Sequence, residues 1–125
     1  MNTKIQPLIE DVGRIVPGVF LKSTEYKRWL VEHKLDEAWA QILEKVKANR
    51  VFFAVGYDMD AADSSDALGY LLNAIFEQRH DSLPSFLLDF LSFYADEKSE
   101  YVDATDIQKD LLAAGYSDEE VSQLM

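Results

Sequence analysis

The chain contains no cysteine, so a disulfide scaffold, a thiolate metal site and a thiol nucleophile are all excluded. That composition suits a reducing compartment, and the expected location is cytoplasmic. There are two histidines, His33 and His80, and the chain holds no GxSxG serine motif, no glycine-rich phosphate loop and no HExxH pair. Most catalytic classes lose their material at this point. No apolar run approaches the roughly 20 residues that a membrane span requires. The opening MNTKIQPLIEDVGR carries charge within a helical pattern and lacks the apolar core and small-residue cleavage site of a secretory signal.

What is present is the balance of a folded globular protein: 48% hydrophobic and 28% charged residues in 125. That length fits one domain with a single core. The net charge is −11, and it is unevenly spread. Residues 1–50 hold nine Lys or Arg against seven Asp or Glu, a net of +2, whereas residues 51–125 hold three against sixteen, a net of −13. The acidic part repels phosphate backbones and anionic lipid heads and favours basic partners. Direct nucleic-acid binding and membrane association are therefore not expected.

Helical periodicity runs through most of the chain. Ile5, Leu8, Ile9, Val12, Ile15 and Val16 form one amphipathic stripe, closed by Pro17-Gly18. Tyr26, Trp29, Leu30 and His33 form a second, with Arg28 pointing outward, and Leu35, Ala38, Trp39, Ile42, Leu43 and Val46 a third. In the third, Asp36 and Glu37 sit at the positive helix start and Lys45, Lys47 and Arg50 near its end. Val51 to Val55 is β-prone and stands as the single extended candidate. GYDMDAADSSD follows as a polar loop that caps a helix carrying Leu68, Leu71, Leu72, Ile75 and Phe76. Beyond Pro84, apolar residues from Phe86 to Tyr94 cover most of a helix, which makes it central to the core or an interface for self-association.

The C-terminal quarter carries the strongest local signals. Val102, Asp103, Asp106 and Ile107 fit the staple, cap and N3 positions of one helix, and Gly115 fits its left-handed stop. Tyr116, Ser117, Glu120 and Val121 repeat the arrangement. The expected fold is an all-α, compact single-domain bundle of six or seven helices with a helix-turn-helix corner at the C-terminus. The chain ends at Leu124-Met125 without a stop signal, as the first domain cut from a longer protein would. The expected core includes Trp29, Trp39, Ile42, Leu72, Phe86 and Phe90.

Four constellations invite a functional reading. Asp58, Asp60, Asp63 and Asp66 crowd one acidic segment, but an EF-hand starting at Asp58 needs glycine at position six and glutamate at position twelve, where Asp63 and Gly69 stand. Helix capping accounts for them, and neither a metal nor any other cofactor is expected. His80, beside Arg79, suits a helix C-terminus. RWLVEH places Arg28 and His33 in an order that resembles the short motif of HEPN-type ribonucleases, an all-helical family. The resemblance covers six residues and implies a catalytic pair for RNA phosphodiester cleavage, with Trp29 standing where that family usually has a polar residue. DLLAAGYSDEEVSQLM resembles the opening of a helix-turn-helix and, more loosely, the loop-and-helix corner of ubiquitin-associated domains. Asp118, Glu119 and Glu120 there would repel a phosphate backbone, so the corner reads as structural.

The leading expectation is a non-catalytic interaction protein of the inhibitor, immunity, antitoxin or nucleic-acid-mimic type, with a basic protein partner. Its expected binding residues are Asp58, Asp60, Asp63 and Asp66 together with Asp96, Glu97, Glu100 and Asp103. These make one negative patch if the helices between them pair as an antiparallel hairpin. The alternatives are a self-associating adaptor using the Phe86–Tyr94 helix, and the ribonuclease with Arg28 and His33.

Overall fold

A computed structural model describes residues 3–48 and 59–122. Among the described residues there are seven α-helices and no strand: α1 Gln6–Ile15, α2 Thr24–Glu32, α3 Asp36–Ala48, α4 Met59–Gln78, α5 Leu83–Lys98, α6 Thr105–Ala113 and α7 Asp118–Val121. Single 3-10 turns cover Thr3–Ile5, Phe20–Lys22 and His80–Ser82. The all-α expectation is met. The extended candidate Val51 to Val55 lies outside the described residues.

The chain divides into two compact units, one of residues 1–15 and 72–125 and the other of residues 16–71. In the second unit Ser23 caps α2 by accepting a hydrogen bond from the Tyr26 amide at 3.2 Å. The fully buried Tyr26 ring then stacks on Trp29 at 6.0 Å and meets Trp39 edge-on at 5.1 Å, with Phe20 at 6.2 Å. Aromatic pairs in these geometries add attraction beyond the apolar area they bury. Burial pushes the Tyr26 hydroxyl well above the ordinary phenol range. Between α2 and α3 the chain turns at Lys34, which takes the left-handed conformation at φ 59°. The Leu35 amide donates to the Leu30 carbonyl at 2.8 Å and the Lys34 amide to Val31 at 3.1 Å. That pair of bonds is a Schellman stop with lysine in the position glycine usually fills.

In the first unit the Thr3–Ile5 turn and α1 pack on α6, and Ile5, Leu8 and Val12 are buried along with Ile107 and Leu111. The α1 helix also carries an ion pair, Asp11 with Arg14. Leu83, Leu87, Phe90, Leu91 and Tyr94 of α5 are buried, as are Leu72 and Phe76. Pro84 stands in the first turn of α5, as expected. Gly115 has φ 108° and ends α6 with a second Schellman stop, Tyr116 to Leu111 and Gly115 to Leu112, each at 3.1 Å. The Ser117 and Glu120 capping box is formed, with Tyr116 and Val121 both buried beside it. The Tyr116 hydroxyl donates to the His80 carbonyl at 2.6 Å, and the two rings stack at 4.4 Å.

Two expectations need correction. Trp29, Trp39, Leu72 and Phe90 are buried, but Ile42 and Phe86 are only half-buried. Residues 59–66 are not a loop, because α4 begins at Met59. Buried positions 63, 64, 67, 68, 71, 72 and 76, with Gly69 beside them, follow helical spacing, yet the first two are Asp63 and Ser64. Polar residues on the inward face hid the stripe, and carboxylates early in a helix complement its positive end.

Candidate acidic interaction site

The α5 helix ends at a third Schellman stop. Ser99 is left-handed at φ 52°, and the Glu100 amide donates back to the Ala95 carbonyl at 3.0 Å. This reversal lays the connector 100–104 against the last turns of α5. The result is a groove of about 190 Å³ with Leu88, Leu91, Ser92 and Ala95 on one side and Glu100, Tyr101, Val102 and Ala104 on the other. Tyr101 is 91% exposed, more than any other large hydrophobic side chain among the described residues.

Carboxylates stand close to this aromatic in sequence. Asp96, Glu97, Glu100 and Asp103 are all exposed. Asp103 is tied down: its carboxylate accepts from the Thr105 hydroxyl at 2.6 Å and the Thr105 amide at 2.9 Å. Those bonds, the hydroxyl's first, hold its carboxyl below the ordinary range, so it is charged at neutral pH. The N-cap of α6 is Ala104, which makes no side-chain bond, so Asp103 stands one residue before the cap position expected of it. Tyr94, beneath, is pushed above the ordinary phenol range by burial and then by the charge of Glu100. Exposed negative charge around a half-apolar groove attracts a cationic surface and repels an anionic one.

The other acidic cluster is placed differently. Asp58 lies outside the described residues, and so does the side chain of Asp60, although its backbone is in α4. Asp66 is exposed on α4. Asp63 is 5% exposed, which removes it from any binding surface and corrects the expectation that it forms part of one. Asp63 and Asp66 belong to the second unit, while Asp96, Glu97, Glu100 and Asp103 belong to the first.

Arg28 and His33 are both exposed on α2 and its C-cap. The His33 ring stacks on Trp29 at 4.2 Å, and its Nδ1 lies 2.9 Å from the Trp29 carbonyl, to which it donates. Five positions apart on a helix, the two residues are separated by about 140° around its axis. That spacing does not aim them at one phosphate. His80 is held against Tyr116 and Phe76 by ring contacts. Among the described residues no group of three or more His, Asp or Glu is placed to hold a metal ion, and no helix is long and apolar enough to cross a membrane.

Reading residues alone would not isolate Tyr101. Its one local signal is an aromatic between two acidic runs just past a helix end, a pattern that gives no information about exposure. No protein-family model matches the chain, and neither a curated protein nor a solved structure matches it.

Proposed function

We propose that the chain is a non-catalytic interaction protein that receives a basic protein partner on the groove beside Tyr101. The supporting observation is the exposed Tyr101 lining a half-apolar groove, with the exposed Asp96, Glu97, Glu100 and Asp103 on either side of it in sequence. An arginine of the partner can stack on the ring while its guanidinium meets Glu100. Aromatic anchors of this kind dominate binding energy, and the surrounding carboxylates act mainly on association rate. An inhibitor, immunity protein, antitoxin or nucleic-acid mimic would work in this way.

The test is recovery of partners from extract at low salt on immobilised protein, followed by elution with rising salt. Two variants accompany it: Asp96→Asn/Glu97→Gln/Glu100→Gln, and Tyr101→Ala. Asp103 is kept because its carboxylate holds the Thr105 amide and hydroxyl at the start of α6. The triple variant should associate more slowly and lose most of its salt dependence, since exposed charges are screened over about 8 Å at physiological ionic strength. Tyr101→Ala should speed dissociation with the helical signal unchanged. Unaltered binding by both variants would reject the site. Salt-independent assembly of the chain with itself, abolished by changing Phe86 and Phe93, would instead make it a self-associating adaptor.

A further inference from the structure

The second unit carries a pocket of opposite character. It has a volume of about 190 Å³ and is lined by Leu21, Lys22, Lys27, Trp39, Leu43, Lys47 and Ser64. Three elements supply the lysines: the 3-10 turn Phe20–Lys22, α2 and α3. Trp39 and Leu21 are buried and Leu43 is half-buried, so the walls are apolar, and the buried Ser64 contributes a hydroxyl. Among the described residues the lining holds no carboxylate, and neither Lys27 nor Lys47 has an ion-pair partner. In a chain with 23 acidic residues and 12 basic ones, two such lysines, Lys27 and Lys47, at one largely apolar pocket are unexpected from composition.

We propose that this pocket binds a small phosphomonoester carrying a flat or apolar substituent. Lys27 and Lys47 supply the charge for the phosphate, the Ser64 hydroxyl is available as a donor, and the substituent lies against Trp39 and Leu43. A phosphate dianion fits this set better than a carboxylate, because it presents more acceptor oxygens to several separate ammonium groups. The volume admits a phosphate with one small ring. Longer polyanions are disfavoured, since an affinity for nucleic acid grows with the number of phosphates neutralised and the chain's net charge is −11. This site is independent of the groove beside Tyr101.

The experiment is a titration of the full ¹⁵N-labelled chain, followed through the Trp39 indole and Ser64 amide signals, with phenyl phosphate, inorganic phosphate and phenol as separate probes. Phenyl phosphate should shift both signals saturably, inorganic phosphate should bind more weakly, and phenol should leave them in place. Lys27→Gln/Lys47→Gln should weaken phenyl phosphate by about tenfold or more, since hydrogen bonds to charged groups are the strong ones. Both lysines are exposed, so the fold should survive, and an unchanged amide spectrum elsewhere checks that. A companion arm uses vesicles containing phosphatidic acid. Tighter, lysine-dependent capture there assigns the phosphomonoester to a lipid headgroup, and its absence with soluble binding intact assigns it to a free metabolite. Unshifted signals with phenyl phosphate, or equal affinity in the double variant, would overturn the proposal.

Discussion

Removing the hydroxyl of Tyr116 separates two contributions to the first unit that crystallise around one side chain. The ring is 4% exposed and lies against His80 at 4.4 Å and Phe76 at 6.2 Å, while the hydroxyl reaches the His80 carbonyl 36 residues earlier in the chain. Tyr116→Phe keeps the ring and deletes one hydrogen bond. A net contribution of about 0.5–1.5 kcal/mol is usual for such a bond. The bond is part-buried, and the loss should fall near about 1 kcal/mol. Tyr116→Ala deletes the packing as well and should cost about 3–5 kcal/mol, the range for a large buried aromatic. Urea unfolding followed by circular dichroism measures both as a shift in midpoint at constant slope. The pH dependence adds a signature. Burial, then the charges of Glu120 and Asp81, raise the Tyr116 phenol above its ordinary value. A phenol held neutral in the fold contributes stability below about pH 10, and that contribution is lost as pH rises and the unfolded phenol ionises. The gap between wild type and Tyr116→Phe should therefore narrow in alkali. Equal losses for the Phe and Ala variants would refute the division into bond and packing, and a gap that widens with pH would refute the protonation argument.

Lys34→Gly and Ser99→Gly should each stabilise the protein by about 0.5–1 kcal/mol, because both residues are exposed and left-handed, a conformation costly for any side chain. Gly115→Ala should cost about 1 kcal/mol through its positive φ alone, since nothing lies within 4 Å of an added Cβ; thermal melts give the sign of all three, and a stabilised Gly115→Ala would show the turn is misread. Asp110→Asn should stabilise at neutral pH, because burial first, then Asp106 and Glu10, raise the Asp110 carboxyl against the opposing pull of Arg14. Its proton is held more tightly when folded, so wild-type stability falls as pH rises from about 4, and the advantage of the Asn variant should vanish in acid; a difference independent of pH would sink this. Trp39→Ala should cost about 3–5 kcal/mol in denaturant unfolding, its ring being 7% exposed against Tyr26, and a loss under about 1 kcal/mol would mean it is not core.

Local signals determined much of this protein directly. The α6–α7 corner was readable from Gly115, Ser117 and Glu120 because a Schellman stop and a capping box close their hydrogen bonds within a few residues. The same holds for the start of α3 at Asp36 and for the all-α character, since periodic apolar residues need no distant partner to declare a helix. The acidic character of the connector after α5 was equally plain. Elsewhere tertiary structure decided. Asp63 and Ser64 face inward on α4, so a segment composed like a loop is helix, and an acid counted as surface is buried. Lys34 and Ser99 occupy stops where glycine is usual, at a cost of about 1 kcal/mol each, so residue type alone does not mark them as helix ends. Ile42 and Trp39 share one stripe, yet only the tryptophan is buried, as periodicity gives the direction of a face and its neighbours give the depth. Tyr101 became distinct from the chain's other aromatics only when the reversal at Ser99 laid it along α5 and left its ring in solvent, since exposure depends on what the rest of the chain covers.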